Sequence, residues 1–334
     1  MYELLGISLG LAALLTVNAF ASFAGAALWR LIKSSLQRCS AATRAEFLFA
    51  FRVAPLLLST LFVAALLIPA YVLHEPYRTG EVVSGKLALL AGLSAIGILL
   101  AVSRAVRSWL ATRRLLRVWL KHGRPIALPG VSIPTFELNH EFPLLAVVGT
   151  FRPRLFVADQ VLSSLTPSEL RAAIAHEAGH LSARDNLKRS LLRVCGDALL
   201  LVPCGRSLDR AWSDTAEAAA DEYAAQESPA AAINLAAALV KVAKMVPKGP
   251  RATLPIAAFL VGSEEDRGLK ARVRRLLEIA SNQEGRRRTF SRYGLMLPFV
   301  VLTTPVAALF VHHTNSAVLA SVHTLIEQAV RLLS

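Results

Sequence analysis

Long uncharged apolar runs restrict the possible folds of this chain more than any other feature. There are four such runs, at residues 4–29, 53–73, 87–102 and 295–311. About 20 apolar residues cross a bilayer as a helix, so the first two runs are long enough and the other two slightly short. A hydrophobic content of 54% and a mean hydropathy of +0.48 argue against the alternative, buried core helices in a soluble protein. The sequence therefore predicts a mainly α-helical membrane protein with four transmembrane helices.

The basic residues between these runs predict how the chain is oriented. Lys and Arg crowd the loop between the first two runs, the segment after the third and the segment before the fourth, whereas residues 74–86 carry two bases and two acids. Basic residues accumulate on the cytoplasmic side of a membrane. We therefore expect a multi-pass protein of the cell membrane with both termini extracytoplasmic. The first run lacks a basic segment ahead of it, so we expect no cleaved signal peptide.

This topology divides the chain into four parts. We predict three transmembrane helices within residues 1–103, a cytoplasmic domain at 104–292, a fourth transmembrane helix at 293–312 and an extracytoplasmic amphipathic tail at 313–334. Since the bases cluster beside apolar runs, the net charge of +14 predicts contact with anionic lipid headgroups. Few aromatic residues are interleaved with the bases, so we expect no direct nucleic-acid partner.

A zinc-binding motif lies inside the predicted cytoplasmic domain. His176, Glu177 and His180 form the pattern H-E-x-x-H on a predicted helix, which starts with a capping box of Thr166 and Glu169. One helical turn separates the two histidines, so both rings can bind one zinc ion while Glu177 acts as general base toward a zinc-bound water. The alternative is a pair of histidines with no metal-binding role.

A catalytic zinc site also needs a third protein ligand and one open position. Glu217 and Asp221 lie four residues apart on one face of an alanine-rich helix predicted at 208–227. We predict that Glu217 binds zinc and that Asp221 accepts the ring N–H of a zinc-bound histidine. A solvated acidic face is the alternative, and Asp214 and Glu222 are the competing carboxylates on this helix.

Two short strands are predicted directly ahead of the metal helix, at residues 144–148 and 154–158. An exposed strand edge beside the zinc would let a substrate peptide bind in extended form. The alternative is a small structural sheet packed under the helix.

An amphipathic basic helix is predicted at residues 269–277, and one of its arginines is a candidate to reach the site. A guanidinium that reached the site would stabilise the tetrahedral oxyanion of peptide hydrolysis. A solvated or lipid-facing basic helix is the alternative.

Together these features resemble membrane-embedded zinc metallopeptidases of the BlaR/MecR antirepressor type. The resemblance rests on the spans, the segments 152–157 and 165–170, the H-E-x-x-H motif with Asp185 five residues on, and the E-x-x-x-D motif of the later helix. The HtpX and CAAX-protease types share both motifs and are more distantly similar. The resemblance implies an α+β zincin-like (gluzincin) domain between spans three and four that binds one zinc ion per chain. It implies zinc ligands at His176, His180 and Glu217, the base at Glu177, support at Asp221 and the arginine role at Arg272.

The resulting hypothesis is a zinc-dependent membrane endopeptidase that acts in signal transduction by regulated proteolysis. Its expected substrate is a protein, such as a transcriptional repressor or a membrane protein. The antibiotic sensors of the BlaR/MecR type carry a penicillin-binding domain after the last span, whereas only residues 312–334 follow the last run here. We therefore expect any signal to come from a separate sensor protein or from the membrane itself.

Two other functions are alternatives to this hypothesis. One is a non-catalytic scaffold in which zinc joins two helices, although a structural site is closed by four ligands and has no use for the base Glu177. A transporter or channel would require ionisable residues inside the spans, and the four runs contain none.

Overall fold

Three helices in the structure, a computed structural model, are long and apolar enough to cross a bilayer. They are α1 (Tyr2–Leu36), a continuous stretch made of α2 (Ala41–Phe62), a π-helical turn (Val63–Leu67) and α3 (Ile68–His74), and finally α4 (Gly85–His122). The structure describes residues 2–76, 83–197, 205–246, 266–281, 308 and 316–333. The predicted fourth span at 295–311 lies outside these residues. The three helices indicate a membrane protein.

The helix α4 is much longer than the apolar run that predicted it. Its 38 residues extend about 57 Å at 1.5 Å per residue, whereas the hydrocarbon core of a bilayer is about 30 Å thick. The sequence predicted a span at 87–102 followed by a segment rich in Lys and Arg, and the structure continues the helix through that segment without a break. Near its end, Trp119 is buried against Phe156 with ring centroids 5.0 Å apart. The helix thus enters the core of the following domain.

A four-stranded sheet follows α4. Its strands are β1 (Arg124–Ile126), β2 (Thr135–Leu138), β3 (Leu145–Val148) and β4 (Arg154–Ala158), in the spatial order β1-β2-β4-β3. The predicted pair is confirmed, since β3 and β4 are antiparallel neighbours. Their connection needs glycine, because Gly149 has φ +109° and a Cβ there would lie 2.7 Å from the Arg152 carbonyl oxygen. In the strand order, β3 comes last and has β4 as its single neighbour, so it lies at one edge of the sheet.

Six helices among the described residues pack around this sheet. They are α5 (Asp159–Ser164), α6 (Pro167–Ser182), α7 (Asp185–Asp197), α8 (Gly205–Ala224), α9 (Pro229–Met245) and α10 (Asp266–Ser281). The predicted capping box at the start of α6 is present, with Thr166 and Glu169 bonded reciprocally. Leu235 and Leu239 of α9 pack with β3 and β4 in one buried core. This core places α6 between β3 on one side and α8 and α9 on the other.

The first turns of α2 form part of the wall of this domain. Ala45, Leu48 and Phe49 pack with Leu208 and Trp212 of α8 in a separate buried cluster. Polar contacts border that cluster, and they join Arg52 to Asp209 at 2.8 Å, the Ala41 N–H to Glu222 at 2.9 Å, and Glu46 to Lys188 of α7. One membrane helix thus contacts both α7 and α8.

A final helix, α11 (Ser316–Leu333), lies at the opposite end of the membrane helices. Its apolar residues Leu319, Val322 and Ile326 pack with Leu5 of α1 and Leu87 of α4. The sequence predicted an amphipathic tail here, and the structure has an amphipathic helix that buries these three apolar residues against the membrane helices.

Candidate metal centre

The helix α6 presents two histidine rings on one buried face. His176 is 0% exposed and His180 is 5% exposed, and their ring centroids are 4.8 Å apart at an interplanar angle of 90°. The spacing of one helical turn places both rings over the same side of the helix. Glu177, between them in sequence, is 1% exposed.

The helix α8 brings Glu217 to both rings. Its Oε2 lies 3.6 Å from His176 Nε2, and its Oε1 lies 3.5 Å from His180 Nε2. Two ligand atoms on a tetrahedral zinc ion, each about 2.1 Å from it, are about 3.4 Å apart. His176, His180 and Glu217, called the metal centre below, are the one group of potential metal ligands within 4.8 Å of each other among the described residues.

Two further carboxylates orient the histidine rings. Asp221 Oδ1 lies 3.0 Å from His176 Nδ1, and Asp185 Oδ2 lies 2.7 Å from His180 Nδ1. Each ring therefore directs its Nε2 toward Glu217, and neither Nε2 has a hydrogen-bond partner within the part of the chain that the structure describes. Buried ring nitrogens that converge without partners fit a metal ion.

Asp185 is a site residue whose role sequence reasoning did not assign. It follows Arg184, whose backbone φ of +54° lies in the left-handed region that residues other than glycine rarely adopt. This residue turns the chain between α6 and α7, so that the first residue of α7 folds back onto His180. The available signal was the position of an aspartate five residues after His180.

Arg272 of α10 binds the carboxylates of the site. Its Nε donates to Asp221 Oδ2 at 3.0 Å, its Nη2 donates to Asp221 Oδ1 at 2.6 Å, and its Nη1 lies 3.1 Å from Glu217 Oε2. The structure thus brings Arg272, the arginine that the family resemblance implied, to the metal centre. The guanidinium of Arg272 thus contacts the carboxylates of Asp221 and Glu217. Its contact with the oxyanion of peptide hydrolysis stays a prediction.

The competing carboxylates of α8 lie elsewhere. Glu222 accepts the Ala41 N–H and pairs with Arg275, while Asp214 is exposed. Of the four acidic side chains considered from sequence, Glu217 and Asp221 are the two that face the histidines.

The charges of the site favour a cation. Burial lowers the pKa of His180, but the Glu217 charge and the Asp185 hydrogen bond outweigh burial and raise that pKa to about 10. Burial raises the pKa of Asp221, but Arg272 and His176 outweigh it and hold that pKa at about 2. Burial likewise opposes ionisation of Glu217, yet His180 and Arg272 keep its pKa well below the usual value. The donor set of two imidazoles and a carboxylate is one that zinc prefers.

Glu177 lies against the edge strand. Its Oε2 accepts the Val147 N–H at 3.0 Å, and its Oε1 is buried without a hydrogen-bond partner among the described residues. Burial is the largest influence on this carboxyl and raises its pKa, which suits a group that accepts and returns a proton.

The outer edge of β3 is also bonded. Asn186 of α7 donates its side-chain amide to the Val147 carbonyl at 2.9 Å and to the Gly149 carbonyl at 3.4 Å. All four residues of β3 are buried. Of the two sequence alternatives, an exposed edge and a covered structural sheet, the structure therefore shows a covered edge at Val147, because side chains of α6 and α7 occupy both its N–H and its carbonyl.

A close helix crossing sets the distance between α6 and α8. A Cβ at Gly179 would lie 3.1 Å from Ala220 Cα and 3.2 Å from Tyr223 Cβ. Contacts this short leave no room for a side chain at Gly179 unless α8 moves. The crossing therefore holds Glu217, three residues before Ala220, within reach of the histidines.

Comparison with known protein families agrees with this geometry. Residues 146–246, from β3 through α9, match Peptidase family M48. No curated protein matches the chain. The matched domain supports a zinc-dependent metalloprotease, and the three apolar helices place it in a membrane protein.

Proposed function

We propose that this chain is a membrane-embedded zinc endopeptidase that hydrolyses peptide bonds of a cytoplasmic or membrane-adjacent protein. The main support for this function is that His176, His180 and Glu217 converge beside the buried carboxylate of Glu177. The match of residues 146–246 to Peptidase family M48 supports the same reaction.

Each residue of the site has a chemical task in this proposal. His176, His180 and Glu217 hold the zinc ion, which supplies Lewis acidity toward the scissile carbonyl and toward water. Glu177 takes a proton from the attacking water and delivers it to the nitrogen of the leaving amine. Its Oε1, which has no hydrogen-bond partner among the described residues, is the oxygen available for this transfer.

The surrounding charges position these groups. Asp221 and Asp185 hold the two rings through Nδ1, which leaves each Nε2 for the metal. We assign Arg272 a positioning role, since three nitrogens of its guanidinium face Asp221 and Glu217. Its charge offsets part of the repulsion between those two carboxylates.

The same proposal includes four spans, a cytoplasmic domain and extracytoplasmic termini. Support comes from the opposite placement of α10, which packs in the domain, and α11, which packs at the remote end of α1 and α4. Signalling proteolysis of the BlaR/MecR type, with a repressor as substrate and a separate sensor protein, belongs to the proposal through the resemblance of the motifs. Anionic lipids are the proposed contacts of the basic segments.

The first experiment measures zinc in detergent-purified protein by elemental analysis, with wild type and His180→Ala prepared together. We expect one zinc ion per wild-type chain and its loss in the variant. A well-folded wild type without zinc would refute the metal site and with it the peptidase.

A second variant separates the peptidase from a zinc-joined scaffold. Glu177→Gln keeps the three ligands, so it should retain zinc and lose hydrolysis of a protein substrate by about a hundredfold to ten-thousandfold. Equal hydrolysis by wild type and Glu177→Gln would exclude Glu177 as the base. Zinc binding with no hydrolysis in wild type would favour the scaffold.

A further inference from the structure

The direction of the backbone groups in β3 determines which of them a substrate could reach. In an antiparallel pair, alternate residues point their N–H and carbonyl at the partner strand, and the residues between point away. The Leu144 carbonyl accepts the Ala158 N–H at 2.7 Å, so even-numbered residues of this segment face β4. Val147 and Gly149 consequently face the outer edge, beside Glu177.

Side chains already occupy these outward groups. The single side-chain nitrogen Nδ2 of Asn186 bonds the carbonyls of Val147 and Gly149, which are successive acceptors along the edge. Glu177 accepts the Val147 N–H between them. Two side chains thus fill the donor and acceptor positions that an added strand would use.

We propose that Asn186 is a gating residue that blocks the β3 edge until an extended peptide displaces it. This inference rests on the proposed function and names the form of its substrate, an unfolded or extended protein segment. The N–H groups of that segment would donate to the Val147 and Gly149 carbonyls, and one of its carbonyls would accept the Val147 N–H. Pairing would then release Glu177 from the strand beside the scissile bond.

The position of Asn186 allows it to move without damage to the metal centre. It is partly exposed, so its amide can turn into water once its two bonds are broken. Its neighbour Asp185 keeps the bond to His180. The helix that carries both is held by Lys188 to Glu46 of α2 and by Arg193 to Ser108 of α4, at 3.2 Å for the latter pair. The gate therefore belongs to a helix that contacts two membrane helices.

The kinetic test uses the zinc-loaded full chain in detergent with fluorescence-quenched casein as substrate. Asn186→Ala removes the blocking donor, and Asn186→Asp keeps its size but cannot donate. Because one hydrogen bond contributes about 0.5–1.5 kcal/mol net, both variants should lower KM about threefold to tenfold with kcat and zinc content unchanged. Ser190→Ala is the matched control, since among the described residues its hydroxyl bonds the Asn186 carbonyl within the same helix and does not reach β3.

A binding measurement keeps this test independent of turnover. On a Glu177→Gln background, fluorescence anisotropy with a labelled casein peptide should give a Kd about threefold to tenfold lower when Asn186→Ala is added. An unchanged or higher Kd, or a KM that stays constant or rises with zinc retained, overturns the gate and makes Asn186 a support for β3. If the proposed peptidase function is wrong, the outcome differs: no variant hydrolyses casein faster than Glu177→Gln does.

Discussion

Two clusters of histidine and glutamate lie in the described part of this chain, and only one of them converges on a point. At the remote end of the membrane helices, His323 of α11 has Nδ1 3.9 Å from Glu75 and Nε2 3.5 Å from Glu327. Its ring stacks on His74 with centroids 5.6 Å apart. We call these four residues the remote cluster. In the metal centre, by contrast, two rings direct their Nε2 atoms at one carboxylate.

The difference lies in the carboxylates that face the other side of each ring. In the metal centre, Asp221 and Asp185 take the Nδ1 atoms and leave the Nε2 atoms pointing inward. In the remote cluster, both nitrogens of His323 already face carboxylates on opposite sides of one ring, and the side chain of Glu327 is 45% exposed. The same residue types therefore build a dispersed set of polar contacts in one place and a candidate metal site in the other. Orientation by a second carboxylate distinguishes the two.

The largest expected effect comes from removing one histidine in each cluster. His176→Ala should weaken zinc binding by at least about a hundredfold, because it deletes a ligand, and hydrolysis should be lost with it. His323→Ala should bind zinc as wild type does. Competition with a chromophoric chelator measures both. Equal weakening in the two variants would mean that the clusters do not differ as proposed.

A smaller effect is expected from the orienting carboxylates. Asp221→Asn should weaken zinc binding about tenfold to a hundredfold, since it keeps the shape but loses the charge that orients His176. Glu75→Gln, the matched change beside His323, should leave zinc binding unchanged. Zinc titration with the same chelator compares the two variants, and an unaltered affinity in Asp221→Asn would contradict its assigned role.

The helix crossing provides the next test. Gly179→Ala should destabilise the domain by about 1–3 kcal/mol, because a Cβ would lie 3.1 Å from Ala220 Cα and force α8 away. Gly268→Ala on α10 is the control, since a Cβ there meets nothing within 4 Å and alanine favours a helix by about 1 kcal/mol. Thermal unfolding of the two variants in the same detergent should move in opposite directions. A stabilised Gly179→Ala would show that the crossing is loose.

The smallest effect is expected at the exposed edge of the remote cluster. Glu327→Gln should change the free energy of unfolding by less than about 1 kcal/mol, because pairs this exposed to water are weak. Chemical denaturation followed by tryptophan fluorescence measures the change. A loss of several kcal/mol would show that the remote cluster is a buried support for α11.

Sequence reasoning predicted the parts of the site that lie within single helices. His176, Glu177 and His180 share one turn of α6, and Glu217 and Asp221 share one turn of α8, so helical periodicity alone places each set on one face. The roles of these residues stay predictions until zinc and hydrolysis are measured.

The remaining contacts depend on tertiary structure that local patterns do not encode. Asp185 reaches His180 only because Arg184 adopts a left-handed conformation. The bond between Glu177 and Val147 requires the packing of α6 on the edge strand. Similarly, β2 pairs directly with β4 in parallel, although β3 lies between them in sequence. Strand propensity does not specify such a non-local register. Local spacing thus predicted the candidate ligands, and long-range packing decided what surrounds them.

The shared cluster of α2 and α8 bears on whether the peptidase domain is separable from its anchor. Leu208 and Trp212 are covered by Ala45, Leu48 and Phe49 of the membrane helix, and Asp209 keeps its ion pair with Arg52. A fragment cut at residue 104 would expose this apolar face and leave Asp209 without Arg52. Such a fragment should aggregate even with every metal ligand intact. The first turns of α2, just ahead of the apolar run at 53–73, are in this sense one wall of the peptidase domain, so the full chain reconstituted in lipid is the setting in which its chemistry should be studied.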